Sequence, residues 1–178
     1  MKKYSSLDCN TVRGQVYIGT QLSCHERIEA ALNCAVIATD TTSASDIDAL
    51  ITKNKTLVGL AEVKSREMRL KDSPILTARR LIYKNREYDS YLITFEKLEK
   101  LKRLCSIFNV PGFLFVSLLE DHQIVFWKIC NANGEYCVDL KKERTRTQAT
   151  CNGGVAYREN AYLTISCMKV LPSTEQSS

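Results

Sequence analysis

The sequence predicts an α/β fold in one domain, and three observations carry that prediction. Residues 47–63 and 113–129 are rich in Ile, Leu, Val, Phe and Thr, in runs of strand length separated by short polar turns. Between them, Tyr91 to Phe108 places Phe95, Leu98, Leu101, Cys105 and Phe108 on one face at helical spacing. A helical pattern also precedes the first strand run. A chain of 178 residues, 44% apolar and 25% charged, can bury a core without disulfide or metal staples.

Residues 22–34 read as a helix, with Leu22, Ile28, Ala31 and Leu32 as its stripe and Ser23 and Glu26 at capping-box spacing. Ala35 to Ile37 reads as a short buried strand, followed by the polar loop TDTTSAS. Residues 47–52 and 57–63 form a hairpin about Lys53-Asn54-Lys55. SREMRLKDSP is basic and irregular, and ILTARRLIYKNREY reads as helical at its start. On the long helix Glu96 with Lys100, and Glu99 with Arg103, lie four apart in the favourable order. Pro111-Gly112 ends that helix. The strands 113–119 and 124–129 then pair across the turn 120–123. Lys141 to Thr147 reads as an exposed loop, Gly153-Gly154 as a turn, Ala161 to Val170 as a last strand, and 171–178 as a disordered tail. Neither an internal repeat nor a linker divides the chain.

Composition removes several function classes. The eight cysteines are scattered without a Cys-x-x-Cys pair, and His25 and His122 are the two histidines, so zinc-ligand spacing is absent. Cys24, Cys34 and Cys105 read as small core residues, and free thiols fit a reducing cytoplasm. Metal binding by Cys130, Cys137, Cys151 and Cys167 is a weak alternative. The start MKKYSSLDCN has no apolar segment behind it, unlike a secretory signal. The longest apolar stretch, Phe108 to Leu119, is broken by Pro111-Gly112 and is shorter than the roughly 20 residues that span a bilayer. The net charge of +5 is concentrated: residues 53–103 hold 14 Lys/Arg against 7 Asp/Glu. A basic middle suits a polyanionic partner and equally suits solvated helix faces.

The chemistry points to the first hairpin. Strand side chains alternate, so Glu62 and Lys64 share a face while Val63 points into the core. With the turn at 53–55, Asp48 pairs near residues 60–62, which brings its carboxylate beside that of Glu62. Two close carboxylates repel unless a proton or cation lies between them, and hard divalent ions take such oxygens. A metal there activates water and stabilises charge developing on a phosphate. Lys64 would orient or deprotonate that water, the second role requiring a lowered pKa. Glu-x-Lys alone is common, and a solvated hairpin face explains it as well. The aspartate heading the preceding strand, the short turn and the helices on either side strengthen the functional reading.

That combination over about residues 20–130, with Asp48 and the run GLAEVKSRE, resembles the PD-(D/E)XK nuclease superfamily, especially its resolvase-like and phage-nuclease members. The resemblance implies a restriction-endonuclease-like core (αβββαβ), a central mixed sheet flanked by helices. Residues 131–170 would then be a carboxy-terminal extension, a specificity element or a dimer surface. It implies magnesium, with manganese substituting, held by Asp48, Glu62 and the Val63 carbonyl, with Lys64 positioning the water. A first-helix glutamate often joins such sites; Glu26 matches best and Glu29 second, while Glu26 serves the capping reading equally. Lys97 matches a position near such sites and equally a solvated face. Ile47 stands where the pattern has proline, and Asp46 is an alternative acid.

The function expected is a magnesium-dependent DNA endonuclease hydrolysing phosphodiester bonds, acting on branched or junction DNA, as a homodimer. Arg66, Arg69, Lys71, Arg79, Arg80, Lys84, Arg86 and Lys97 would hold DNA phosphates. Tyr83, Tyr88 and Tyr91 interleave with them and suit either base stacking or core packing. The rival is a non-catalytic DNA-binding or assembly module on the same fold. A restriction-type enzyme reading sequence through its carboxy-terminal quarter is a third possibility.

Overall fold

The computed structural model describes residues 12–39, 46–71, 79–146 and 157–172. Helix α1 runs Val12–Leu32 and so begins well before Leu22. Ser23 therefore lies inside the helix and cannot cap it. The buried stripe is Cys24, His25 and Ile28, whereas Leu22 and Leu32 are exposed. Strand β1 (Ala35–Ala38) is mostly exposed, not buried as expected, because it forms a sheet edge. Strands β2 (Ala49–Lys53) and β3 (Thr56–Arg66) form the expected hairpin, with Asn54 and Lys55 at positive φ in a two-residue turn.

The basic stretch after β3 is a small meander: β4 (Arg69–Lys71), β5 (Arg80–Tyr83) and β6 (Arg86–Tyr88). The helical reading fails from residue 80 onward. Lys84 and Asn85 both adopt positive φ, which a right-handed helix cannot accommodate and a tight hairpin requires. Residues 75–78 lie outside the described residues, as do Cys9, Cys151, Gly153-Gly154, most of TDTTSAS and most of the tail.

Strand β7 (Ser90–Thr94) takes the first residues assigned to the long helix. Tyr91 and Ile93 face inward at period two, and the Tyr91 ring packs 5.5 Å from Trp127. Helix α2 (Phe95–Phe108) buries Leu98, Leu101 and Cys105, and ends on Asn109 in the left-handed region, just before Pro111. Strands β8 (Gly112–Leu118) and β9 (Gln123–Cys130) form the second expected hairpin.

Beyond it, β10 (Leu140–Arg146) is a strand where a loop was expected, held by backbone pairing with β11 (Tyr157–Thr164). The last strand is shorter than Ala161 to Val170. A 3₁₀ turn at Ile165–Cys167 breaks it before β12 (Lys169–Val170).

The central sheet has the order β1-β2-β3-β8-β9-β12 and is mixed, since β3 and β8 pair in parallel and the rest antiparallel. Four strands, β4–β7, stand between β3 and α2, where the expected succession runs directly from third strand to helix. Cys24 and Ile28 of α1 pack with Ala61, Val63 and Phe115 on one side. Leu98 and Leu101 of α2 pack with Leu60, Leu114 and Trp127 on the other. No described helix is long and apolar enough to cross a membrane.

Candidate active site

Strand β3 is central, paired to β8 along Leu60–Arg66 and to β2 as far as Ala61, so Glu62, Val63 and Lys64 are held by the β8 ladder just past the end of the β2 ladder. Asp48 immediately precedes β2. The Ala49–Ala61 pair and the Asp48 N–H donated to the Ala61 carbonyl at 3.1 Å carry the ladder toward Glu62. The Asp48 side chain turns onto the same strand, where its Oδ2 accepts the Val63 N–H at 2.9 Å.

The Lys64 ammonium lies in the middle of this group. Its Nζ is 2.6 Å from Asp48 Oδ2, 2.7 Å from Glu62 Oε1 and 3.1 Å from the Val63 carbonyl oxygen. Three oxygens from two strands thus converge on one cationic atom. Lys97, in the first turn of α2, adds a second ammonium 3.5 Å from Glu62 Oε1.

Glu62 is 1% exposed. Burial raises its pKa and the neighbouring Asp48 charge adds to this, against the pull of Lys64 and Lys97. Its Oε2 has no hydrogen-bond partner, and Oε1 meets the two ammoniums without hydrogen-bond geometry. Burial alone would lower the Lys64 pKa, but the charges of Glu62 and Asp48 reverse this and raise it. The amine is therefore held protonated, the opposite of what a general base requires.

The remaining sequence candidates divide. Lys97 joins the group. Asp46 is held by α2, 3.1 Å from both Lys100 and Arg103. Glu26 is exposed on α1, and Glu29 accepts the Val36 N–H at 2.6 Å, tying α1 to β1. The first-helix residue that the sequence reading passed over is His25. It is 4% exposed, and its Nε2 has no partner. Burial lowers its pKa while the Asp48 and Glu29 carboxylates oppose this, so the ring is neutral near pH 7. The signal available was its place beside Cys24, four residues before Ile28 on the buried stripe.

The proposed phosphate-binding cations lie on the end of β3 and on the β4–β6 meander. Arg66, Arg69, Lys71, Arg79, Lys84 and Arg86 are exposed, and Arg80 is half-buried. Lys71 is paired with Glu87 at 2.5 Å, and Arg69 lies 3.7 Å from Glu120. Lys84 sits over the Tyr83 ring at 5.2 Å. Tyr88 is exposed but Tyr91 is a core residue, which removes it from base stacking. Among the cysteines, Cys105 and Cys130 are buried together, while Cys137 and Cys167 are exposed. Among the described residues no three His, Cys, Asp or Glu side chains form a metal-binding group.

The oxygens of Asp48, Glu62 and Val63 nonetheless suit a hard divalent cation, since they already surround a positive charge and one carboxylate oxygen is unsatisfied. Such a cation held by the same oxygens would require the ammonium to withdraw. A family model described as "Phage putative PDDEXK endonuclease" matches residues 19–154. Comparisons with curated proteins and with solved structures gave no match.

Proposed function

The chain belongs to this phage PDDEXK endonuclease family, and from that premise we propose that it is a divalent-metal-dependent DNA endonuclease, with magnesium the ordinary ion and branched or junction DNA the preferred substrate. The observation that carries the reading is the convergence of Asp48 Oδ2, Glu62 Oε1 and the Val63 carbonyl on one cation position. Those three groups would hold the metal, with His25, buried and influenced by the Asp48 charge, rather than the exposed Glu26 as the first-helix candidate. The bound ion would supply an acidified water and stabilisation of the negative charge growing on the phosphate.

The chain's own residues do the rest. The Asp48 carboxylate is fixed by the Val63 N–H, so its free oxygen lone pairs have one direction. Lys64, displaced from the carboxylates that raise its pKa, would orient the attacking water and, while protonated, stabilise charge on the phosphate oxygens. Lys97 balances Glu62 when Lys64 turns to the substrate. The exposed cations of β4–β6 hold backbone phosphates beside the cleaved bond. Two copies of this single-centre domain would cut both strands of a duplex.

Cleavage of supercoiled plasmid and of a four-way junction, with magnesium, manganese or a chelator, tests the reading. The parent should cut only with a divalent ion, and Asp48→Ala and Lys64→Ala should lose at least about a hundredfold in rate. Equal cutting by both variants, or cutting in chelator, overturns the assignment.

A further inference from the structure

We propose that the β10–β11 ribbon is a clamp for the DNA backbone beside the cleaved bond, its gripping face formed by Lys142, Arg144 and Arg146. The inference rests on the nuclease reading and assigns it a substrate contact that neither the motif nor the basic middle of the sequence indicates.

The register fixes the face. In an antiparallel pair, residues directly opposite each other point to the same side. Leu140 opposes Leu163, Lys142 opposes Ala161, Arg144 opposes Glu159, and Arg146 opposes Tyr157. Leu163 and Ala161 in turn oppose Tyr91 and Ile93 of β7, and all four are buried. This face is therefore core at one end and becomes cationic toward the other.

The change occurs where β7 stops. The last β7 partner, Thr94, pairs with Asn160, and the chain then turns into α2 at Phe95. Tyr157 to Glu159 and Arg144 to Arg146 run on as two strands alone. Lys142 marks the junction, its Nζ 3.6 Å from the centre of the Phe95 ring. Two residues along the same helical turn, Lys97 reaches Glu62. The first turn of α2 thus touches the ribbon through Phe95 and the acid group through Lys97.

Charge distinguishes the two faces. On the opposite face Lys141 is paired with Glu143 and Arg158 stands opposite Thr145, two cations against one carboxylate. On the gripping face Glu159 is the carboxylate, 3.8 Å from Lys142 Nζ, against three cations. Tyr157 is 65% exposed, with the Arg144 guanidinium 6.0 Å from its ring centre, an aromatic beside an arginine at the open end of the ribbon. At a rise of ~3.4 Å per residue, Lys142 to Arg146 spans about 14 Å, a length of duplex axis over which one strand carries about four phosphates. A row of that length and sign, next to the proposed chemistry, fits the backbone of the substrate.

The test is fluorescence-anisotropy titration of a junction and a linear duplex in chelator, where no cleavage occurs, at several salt concentrations. Lys142→Ala/Arg144→Ala/Arg146→Ala should lower the slope of log K against log salt by about 2 to 3, at about 0.9 per lost phosphate contact. Lys142 packs on Phe95, so Arg144→Ala/Arg146→Ala, which leaves that contact intact, is measured alongside and should lower the slope by about 1 to 2. Lys141→Ala, on the other face, should leave it unchanged. Parental slope and affinity in both multiple variants overturn the clamp and leave the nuclease reading standing. A parent that binds neither DNA overturns both.

Discussion

Replacing Lys64 with Met is the sharpest probe of the acid group. The change keeps an unbranched side chain and removes the charge that two carboxylates share at 2.6 and 2.7 Å. Removing one partner from a buried ion pair destabilises by about 3–5 kcal/mol. Two features place this case at the lower end, about 3 kcal/mol: Lys97 stays 3.5 Å from Glu62, and the Asp48 side chain is 19% exposed. For a chain of this size that is a drop of about 6–12 °C in melting temperature. The same vacancy should then favour a divalent ion. At a hundredfold excess over its dissociation constant, magnesium or manganese returns about 2.7 kcal/mol, most of the loss. The parent should gain less, because its own ammonium competes for the three oxygens. Differential scanning fluorimetry with and without each ion, in parent and Lys64→Met, reads both effects. A variant that melts with the parent, or equal metal stabilisation of the two proteins, refutes the view that these oxygens form one cation cradle.

Three further outcomes follow from the geometry. His25→Ala should reduce metal-dependent cleavage by about 10–100-fold, the range for groups supporting a metal site, while Glu26→Ala should cut like the parent; the reverse result would restore Glu26. Asp46→Asn should lower the melting temperature at neutral pH through loss of Lys100 and Arg103. The Lys100 hydrogen bond holds the Asp46 pKa below its ordinary 3.8, so this stabilisation is present above pH 3.8 and disappears as pH falls through the depressed value; the two melting curves should therefore converge in acid. Gly112→Ala should destabilise by about 1–3 kcal/mol, because its Cβ would lie 2.6 Å from Cys105 Sγ and 2.9 Å from Cys130 Sγ. Adding Cys105→Ala to that variant should recover part of the loss in urea unfolding.

How far the sequence could be read depends on where packing leaves a periodic trace. The turn located Asp48 near residues 60–62, but the facing of Asp48 and Glu62 also depends on a register shift between Ile51 and Thr52, one extra residue in β3 that the sequence pattern does not mark. The β8–β9 hairpin was plain, being apolar throughout. Ser90 to Thr94 misled because Tyr91, four residues before Phe95, continues the helical stripe, while Tyr91 and Ile93 also alternate with Leu92 and Thr94; pairing with β11 decided for the strand. Strands β6 and β10 leave almost no apolar trace, since their residues are charged or exposed and backbone ladders alone hold them. The Lys84-Asn85 turn had a visible counterpart in Asn54-Lys55. His25 was missed because the stripe on α1 was drawn through Leu22, Ile28, Ala31 and Leu32, of which Leu22 and Leu32 face solvent, and was not extended from Ile28 back to Cys24 and His25.

Glu62 and Lys64 sit on a central strand, β3, and Asp48 just before its neighbour β2. Bringing Glu62 or Lys64 out of place would mean breaking the β8 ladder together with the bond from the Val63 N–H to Asp48, so this part of the chain should open late. Amide exchange at Glu62, Val63 and Lys64 should therefore be slow, with β1 and the outer end of β10 among the fastest. If the proposed function holds, fitting to the substrate would fall to those margins, with the Asp48, Glu62 and Lys64 group held near β8.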